Sequence, residues 1–353
     1  MLPYWILYLT PAMLALFVLG QRRLHLTISF WVSLGVFVAF LIGFRYEVGG
    51  DWFAYMEQYK RTIGMTLVEG LWSGRDPGYA FINWLMAKWG FGIYGVNLVC
   101  GAIFVTGLII FCRQQLNPLL AFTVAVPYLV IVVAMGYTRQ GVALGLMFWA
   151  IAYLERGKFI HYLALIAVGA LFHKTVLIML PLGLLISGGT GKLIKVGVIL
   201  LAGYGLWNAL LAQTQDALWI NYVDAKMVSQ GAKIRVFMNV LPSLLLLIYW
   251  KRWKESIPNH WFWFWLAVGS LVAFGIIDYA STAVDRILLY FAPIQLAIYS
   301  RLAHLPLLPG RRQLDPGLVT VAVVSGYAAV LYVWLNYAIH AKYWIPYQNI
   351  IFQ

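Results

Sequence analysis

The sequence predicts an all-α, polytopic integral membrane protein, and three observations carry that reading. Of its 353 residues, 63% are hydrophobic and only 10% charged, with a mean hydropathy of +0.81. A water-soluble domain carries about 25% charged residues. Apolar runs such as 26–44, 196–212 and 317–335 are long enough to cross a bilayer, and runs of that length satisfy their backbone hydrogen bonds as helices. The net charge of +13 is unevenly divided between alternate connections.

Spans are expected at 3–20, 26–44, 92–112, 117–134, 138–155, 159–173, 175–188, 196–212, 236–250, 260–278, 284–300 and 317–338. The stretch 159–188 also reads as one long or broken helix, so the total is about 10–12 spans. The first run lacks a basic stretch before it and a small-residue cleavage site, and Arg22 and Arg23 follow it. It reads as a retained span rather than a signal peptide. Cys100 and Cys112 fall on one span and read as small buried hydrophobes.

With these spans, one side carries 13 basic residues, from Arg22 and Arg23 to Arg311 and Arg312, against only Glu155, Glu255 and Asp315. The other side has 12 basic and 9 acidic residues. The positive-inside rule places the first side in the cytoplasm, which assigns the charge to topology rather than to nucleic acid. Its connections are short, and their basic residues serve orientation. Two excursions face outward, 45–91 and 213–235, within a single domain covering 1–353. Segment 79–89 is apolar and aromatic but too short to span, so it lies at the interface or re-enters the membrane. Loops longer than about 15 residues are usually functional, so any chemistry is expected on the outer face.

Polar residues at the outer ends of spans are the candidate site residues, because ionisable groups within spans need a partner or a function. In FRYEVGGDWFAYMEQYK, Arg45 follows the second span, Gly49 and Gly50 permit a turn, and Asp51 caps the next helix with Tyr55 one turn on. A cap with interfacial aromatics explains this stretch equally well. Arg75 and Asp76 precede Pro77-Gly78, a turn leading into the helix that begins with Tyr79. Arg139 and Gln140 open the fifth span; the arginine either snorkels to headgroups or faces inward onto a lipid phosphate. His173 and Lys174 interrupt an apolar run, and histidine suits general-base work near neutral pH. Asp278, Asp285 and Arg286 frame a later turn, with Tyr290 one helical turn below Arg286. An ion pair across that turn is the structural alternative. Trp344, Pro346 and Tyr347 read as an aromatic belt. No phosphate-binding glycine loop, zinc signature or nucleophilic serine motif occurs, so no cofactor or metal is expected.

Several of these segments resemble the EpsG family, which is counted among Wzy-type polymerases of bacterial exopolysaccharide and O-antigen. RYEVGGDWFAYMEQY is similar to its R-x-x-x-G-x-D-Y/W-x-x-Y signature. RDPGYAFINWL, YTRQGVALGL, FHKTVLI, DRILLYF and YWIPYQN follow in the family's order. Asp76 stands where the family usually has Glu, and Lys174 after the histidine is less typical. The resemblance implies a GT-C-like membrane glycosyltransferase of the bacterial inner membrane, working on the periplasmic face without nucleotide sugar or metal. Donor and acceptor would be undecaprenyl-diphosphate-linked oligosaccharides held among membrane lipid, with a chain-length regulator and a flippase as pathway partners. Under this reading Arg139, with Arg45, Arg286 and Lys174, binds diphosphate, and His173 or Asp51 is the base. Trp52, Tyr55, Arg75, Asp76, Tyr79, Gln140, Asp278, Asp285 and Tyr290 bind substrate. An O-antigen ligase, or a flippase for lipid-linked oligosaccharide, is the alternative.

Overall fold

The computed structural model describes residues 1–18, 26–72, 74, 76–185, 231–257, 259–279, 281–302, 304 and 314–353, with 196–197, 200–201 and 204–205 between. The described residues are helical, and the only β pairing among them is an isolated antiparallel bridge between Arg45 and Asn349. Among the described residues, two helices are long and apolar enough to cross a membrane, Gly92–Cys112 and Pro316–Tyr337. Six shorter apolar helices accompany them, as expected of a membrane protein. Most of the expected span 196–212 and of the excursion 213–235 lies outside the described residues, as does Arg75.

In chain order the first helices are α1 (Leu2–Val18), α2 (Ile28–Gly43), α3 (Trp52–Thr62), α4 (Leu67–Trp72), α5 (Pro77–Trp89) and α6 (Gly92–Cys112). The 45–91 excursion is therefore three helices rather than open loop. In α5, Tyr79, Ile82 and Met86 are buried, so the apolar stretch packs against the bundle. α7 (Pro118–Ala125) passes into a π-helix, Val126–Ala134. Pro127 lacks the N–H needed for a regular helical turn, and the wider π turn accommodates the interruption. α8 (Thr138–Glu155) and α9 (Phe159–Ala170) follow.

After α9 the chain breaks at Leu171–His173 and continues as tight 3-10 turns, Lys174–Met179 and Pro181–Leu185. The region read as either two spans or one broken helix is thus a helix, a break and a tighter segment. α10 (Ala232–Ile248), α11 (Trp250–Ser256) and α12 (His260–Gly275) come next. The expected span 284–300 is also interrupted. α13 (Ser281–Leu288) ends in a 3-10 turn before Pro293, where α14 (Pro293–Leu302) begins and α15 (Pro316–Tyr337) follows.

The centre of the bundle is the α6–α8 crossing. A Cβ on Gly107 would collide with the Gly145 backbone, and one on Gly145 would collide with Phe104, so the two helices touch backbone to backbone. They run parallel. Near their N-terminal ends Asn97 of α6 and Thr138 of α8 accept from one guanidinium, that of Arg45.

The C-terminal segment forms no simple aromatic belt. Trp344 is only 2% exposed; its indole donates to Ile131 O (2.8 Å), and its own carbonyl accepts from Tyr4 Oη (2.6 Å). Tyr46 N donates to Gln348 O and Ile350 N to Phe44 O, both at 3.0 Å. The tail therefore locks the turn that follows α2. Gly49 in that turn has φ +108° and lies too close to Met135 O for any side chain.

Candidate functional site

The best-formed polar site lies where the N-termini of α3, α5 and α8 meet the break after α9. Asp76 occupies the N-cap position of α5 but makes no capping bond. Its carboxylate instead holds Arg139, with Nη1 to Oδ2 at 2.5 Å. The Asp76 side chain is 8% exposed and that of Arg139 32%. The pair is thus largely removed from water, where one charge without the other would be costly. Tyr55 lies beneath the guanidinium, its ring centre 5.8 Å from Arg139 Cζ. Arg139 Nε is buried without a hydrogen-bond partner. The exposed third of the side chain leaves this permanent cation open to an anion.

The break after α9 is pinned to the same place. Gly78 N donates to Leu171 O (2.9 Å), docking the start of α5 on the residues just before His173. His173 has extended backbone, φ −156° and ψ 111°. Its Nδ1 lies 2.6 Å from Thr175 Oγ1 and 3.0 Å from Tyr290 Oη. Two hydroxyls on one nitrogen orient the ring, and Nε2 has no hydrogen-bond partner among the described residues. The charges of Arg139 and Arg286 both bear on this imidazole.

Asp51 is at the N-cap position of α3, but its side chain makes no capping bond, which corrects the expectation that it caps that helix. Burial raises its carboxyl above the ordinary aspartate range, and Arg139 and Arg286 pull only partly the other way. Asp51 and His173 both lie within the field of the same two arginines. Gln140, beside Arg139, donates to Arg286 O (3.1 Å) and ties the α13 turn to α8.

Other candidates take different places. Arg45 is 1% exposed and donates to Ile42 O (2.5 Å), Val48 O (3.2 Å), Asn97 Oδ1 (3.1 Å) and Thr138 Oγ1 (2.9 Å). Its guanidinium is committed to the protein's own acceptors, so the structural reading fits it better than phosphate binding. Trp52 (3% exposed) packs against Arg45, with its ring centre 5.6 Å from Cζ. Tyr79 is fully buried, so neither ring offers a sugar an open face. Tyr55, also buried, serves Arg139. Lys174 is half-buried beside His173. Asp278 sits on an exposed turn paired with Lys233 (2.7 Å).

Asp285 is gripped at both oxygens by Arg235, 2.7 Å each. The sequence reading missed Arg235 as well as Thr175. Arg235 had one available signal, a lone arginine at the head of an apolar helix; Thr175 had none, since its contact depends on the break. Among the described residues no group of three or more His, Cys, Asp or Glu is placed to hold a metal ion.

No curated protein and no solved structure matches this chain. A family model does, over residues 28–349, which takes in every segment of the site just described. The chain belongs to the EpsG family, a family of Wzy-type polysaccharide-polymerase-like membrane proteins.

Proposed function

We propose that the protein is a polysaccharide polymerase of the GT-C-like type with about 10–12 spans, acting at the periplasmic face of the bacterial inner membrane. It transfers a growing glycan from undecaprenyl diphosphate to a hydroxyl of a second, undecaprenyl-diphosphate-linked repeat unit. The bond between the donor's anomeric carbon and the diphosphate oxygen breaks. A bond from that carbon to the acceptor oxygen forms, and the hydroxyl proton goes to a base. Undecaprenyl diphosphate departs with the bonding electrons.

The observation that carries this reading is Arg139. A cation held by one buried carboxylate, with a third of its side chain still exposed, is suited to a diphosphate whose charge grows as the bond breaks. Arginine keeps its charge at any working pH and grips phosphate oxygens in a fixed fork. Arg286 adds a second charge, and Asp76 and Tyr55 position Arg139. His173, oriented by Thr175 and Tyr290, takes the proton through Nε2, and Asp51 is the alternative acceptor. Gln140, Asp285 and Arg235 fix the turn carrying Arg286. Arg45 holds the frame.

The test is a reconstituted reaction of purified protein with lipid-linked repeat unit alone. Polymer longer than one unit, lost in Arg139→Ala and His173→Ala, supports the reading. Transfer only after adding a lipid A core acceptor would point to a ligase. Translocation without new glycosidic bonds would point to a flippase.

A further inference from the structure

At the opposite end of α6 and α8 a second built feature stands apart from the Arg139 site. Eighteen residues of α8 separate the two, about 25 Å along the helix axis. Between α2 and α6 runs an apolar groove of about 250 Å³, walled by Val32, Val36, Ala102 and Thr106 among others. Val32 and Val36 are 57% and 64% exposed, so the groove opens sideways along the helices. Arg113 lines its end, and Arg113 and Ile110 also line a neighbouring cavity of about 310 Å³. That cavity is otherwise bounded chiefly by Gln114, Trp149, Tyr153 and Arg156. The two recesses therefore join at Arg113.

The charge at this junction is positive. Arg113 is exposed and has no acidic partner among the described residues. In the amide orientation that satisfies its neighbours, Gln114 accepts from Arg156 Nη2 (3.0 Å) and Nε (3.2 Å) and donates to Glu155 Oε2 (3.2 Å). Arg156 is thus held in place. Glu155, the nearby acid, feels the charges of both Arg301 and Arg156, so it offsets neither of them alone. Lys158 lies 5.5 Å from the centre of the Tyr153 ring and adds a third cation.

We propose that this composite recess binds one anionic glycerophospholipid. An acyl chain lies in the groove between α2 and α6, and the phosphate sits between Arg113 and Arg156 with its headgroup against Trp149 and Tyr153. An open apolar furrow that ends at Arg113, with Arg156 lining the adjoining cavity, matches a molecule with one long apolar part and one phosphate. Because the cations outnumber the acid, a headgroup with net negative charge is preferred over a zwitterionic one.

Native mass spectrometry of the detergent-solubilised full chain tests this, with phosphatidylglycerol and phosphatidylcholine of matched chains as probes. The expected result is one retained phosphatidylglycerol, favoured about tenfold or more over phosphatidylcholine. Arg113→Gln/Arg156→Gln should abolish that preference, and Thr106→Trp, which fills the groove at an exposed position, should weaken phosphatidylglycerol retention. Glycerol phosphate without chains should not compete. Equal retention of the two lipids, or unchanged preference in the double arginine variant, would overturn the proposal. Preferential retention of a polyprenyl phosphate would overturn the assignment to a phospholipid. If Thr106→Trp fails to fold, the arginine pair, on exposed or held side chains, decides alone.

Discussion

Arg45 and Arg139 lie at the same end of the bundle and differ in what surrounds the guanidinium. Arg45 is sealed, with two backbone carbonyls, an amide and a hydroxyl taking its donors and Trp52 covering it. Arg139 has one carboxylate partner, a tyrosine beneath it, a third of its side chain exposed and Nε unmatched. A buried charge with four of its five donors committed stabilises the fold; a partly exposed charge with donors to spare can serve a ligand. The same residue type therefore does two jobs, and the partners decide which.

The largest expected effect breaks the sealed side. Arg45→Ala leaves Asn97, Thr138 and two carbonyls without their donor in the interior, a loss of about 4 kcal/mol or more. Since folded proteins have only about 5–15 kcal/mol in hand, the variant should fail to elute as a monodisperse species in size-exclusion chromatography. Recovery of folded, active Arg45→Ala would show that the contrast with Arg139 is false.

On the other side, the proton acceptor should show a loss of ~10²–10⁴ in polymerisation rate with folding intact. His173→Ala is expected to show it. Tyr290→Phe, which removes one of the two hydroxyls on Nδ1, should cost less. If Asp51→Asn gives the full loss and His173→Ala only a small one, the two residues exchange roles. Arg139→Ala should lower the rate by ~10²–10³, the scale for removing one stabilising donor group at a developing anion, and lysine should rescue only part.

Asp51 gives a pH test. Its folded carboxyl is raised by burial, so the native state holds the proton more tightly than the unfolded chain does. That contribution favours folding at low pH and is lost as pH rises through the raised value. Asp51→Asn should therefore be at least as heat-stable as wild type at neutral pH, measured as Tm in detergent. A drop in Tm would mean that ionised Asp51 is a structural partner of Arg139 or Arg286. The smallest effect belongs to Lys233→Ala, whose exposed pair with Asp278 should be worth under about 1 kcal/mol.

Much of this was legible in one dimension because it depends on sums along the chain. The apolar runs mark the helices to within a few residues, as at 92–112 and 138–155, because a bilayer-length helix must be apolar throughout. Arg139, His173 and Asp51 stood out because an ionisable group next to such a run is costly without a purpose. Where the reading missed, proline and the wider fold intervened. Pro127 and Pro293 reshape two expected spans, and Asp51 and Asp76, both at N-cap positions, leave their helices uncapped.

By itself, then, the sequence determined a helical membrane protein with its polar residues gathered at helix ends, and its ordered motifs pointed to the EpsG family. Only the tertiary structure decided that Asp76 reaches Arg139 across 63 positions, that Tyr290 turns His173 across 117, and that the tail at Asn349 closes on Arg45. Periodicity and hydropathy are local quantities. Whether a charge is spent on the fold or left for a substrate depends on which distant groups surround it, and that is fixed only when the helices pack.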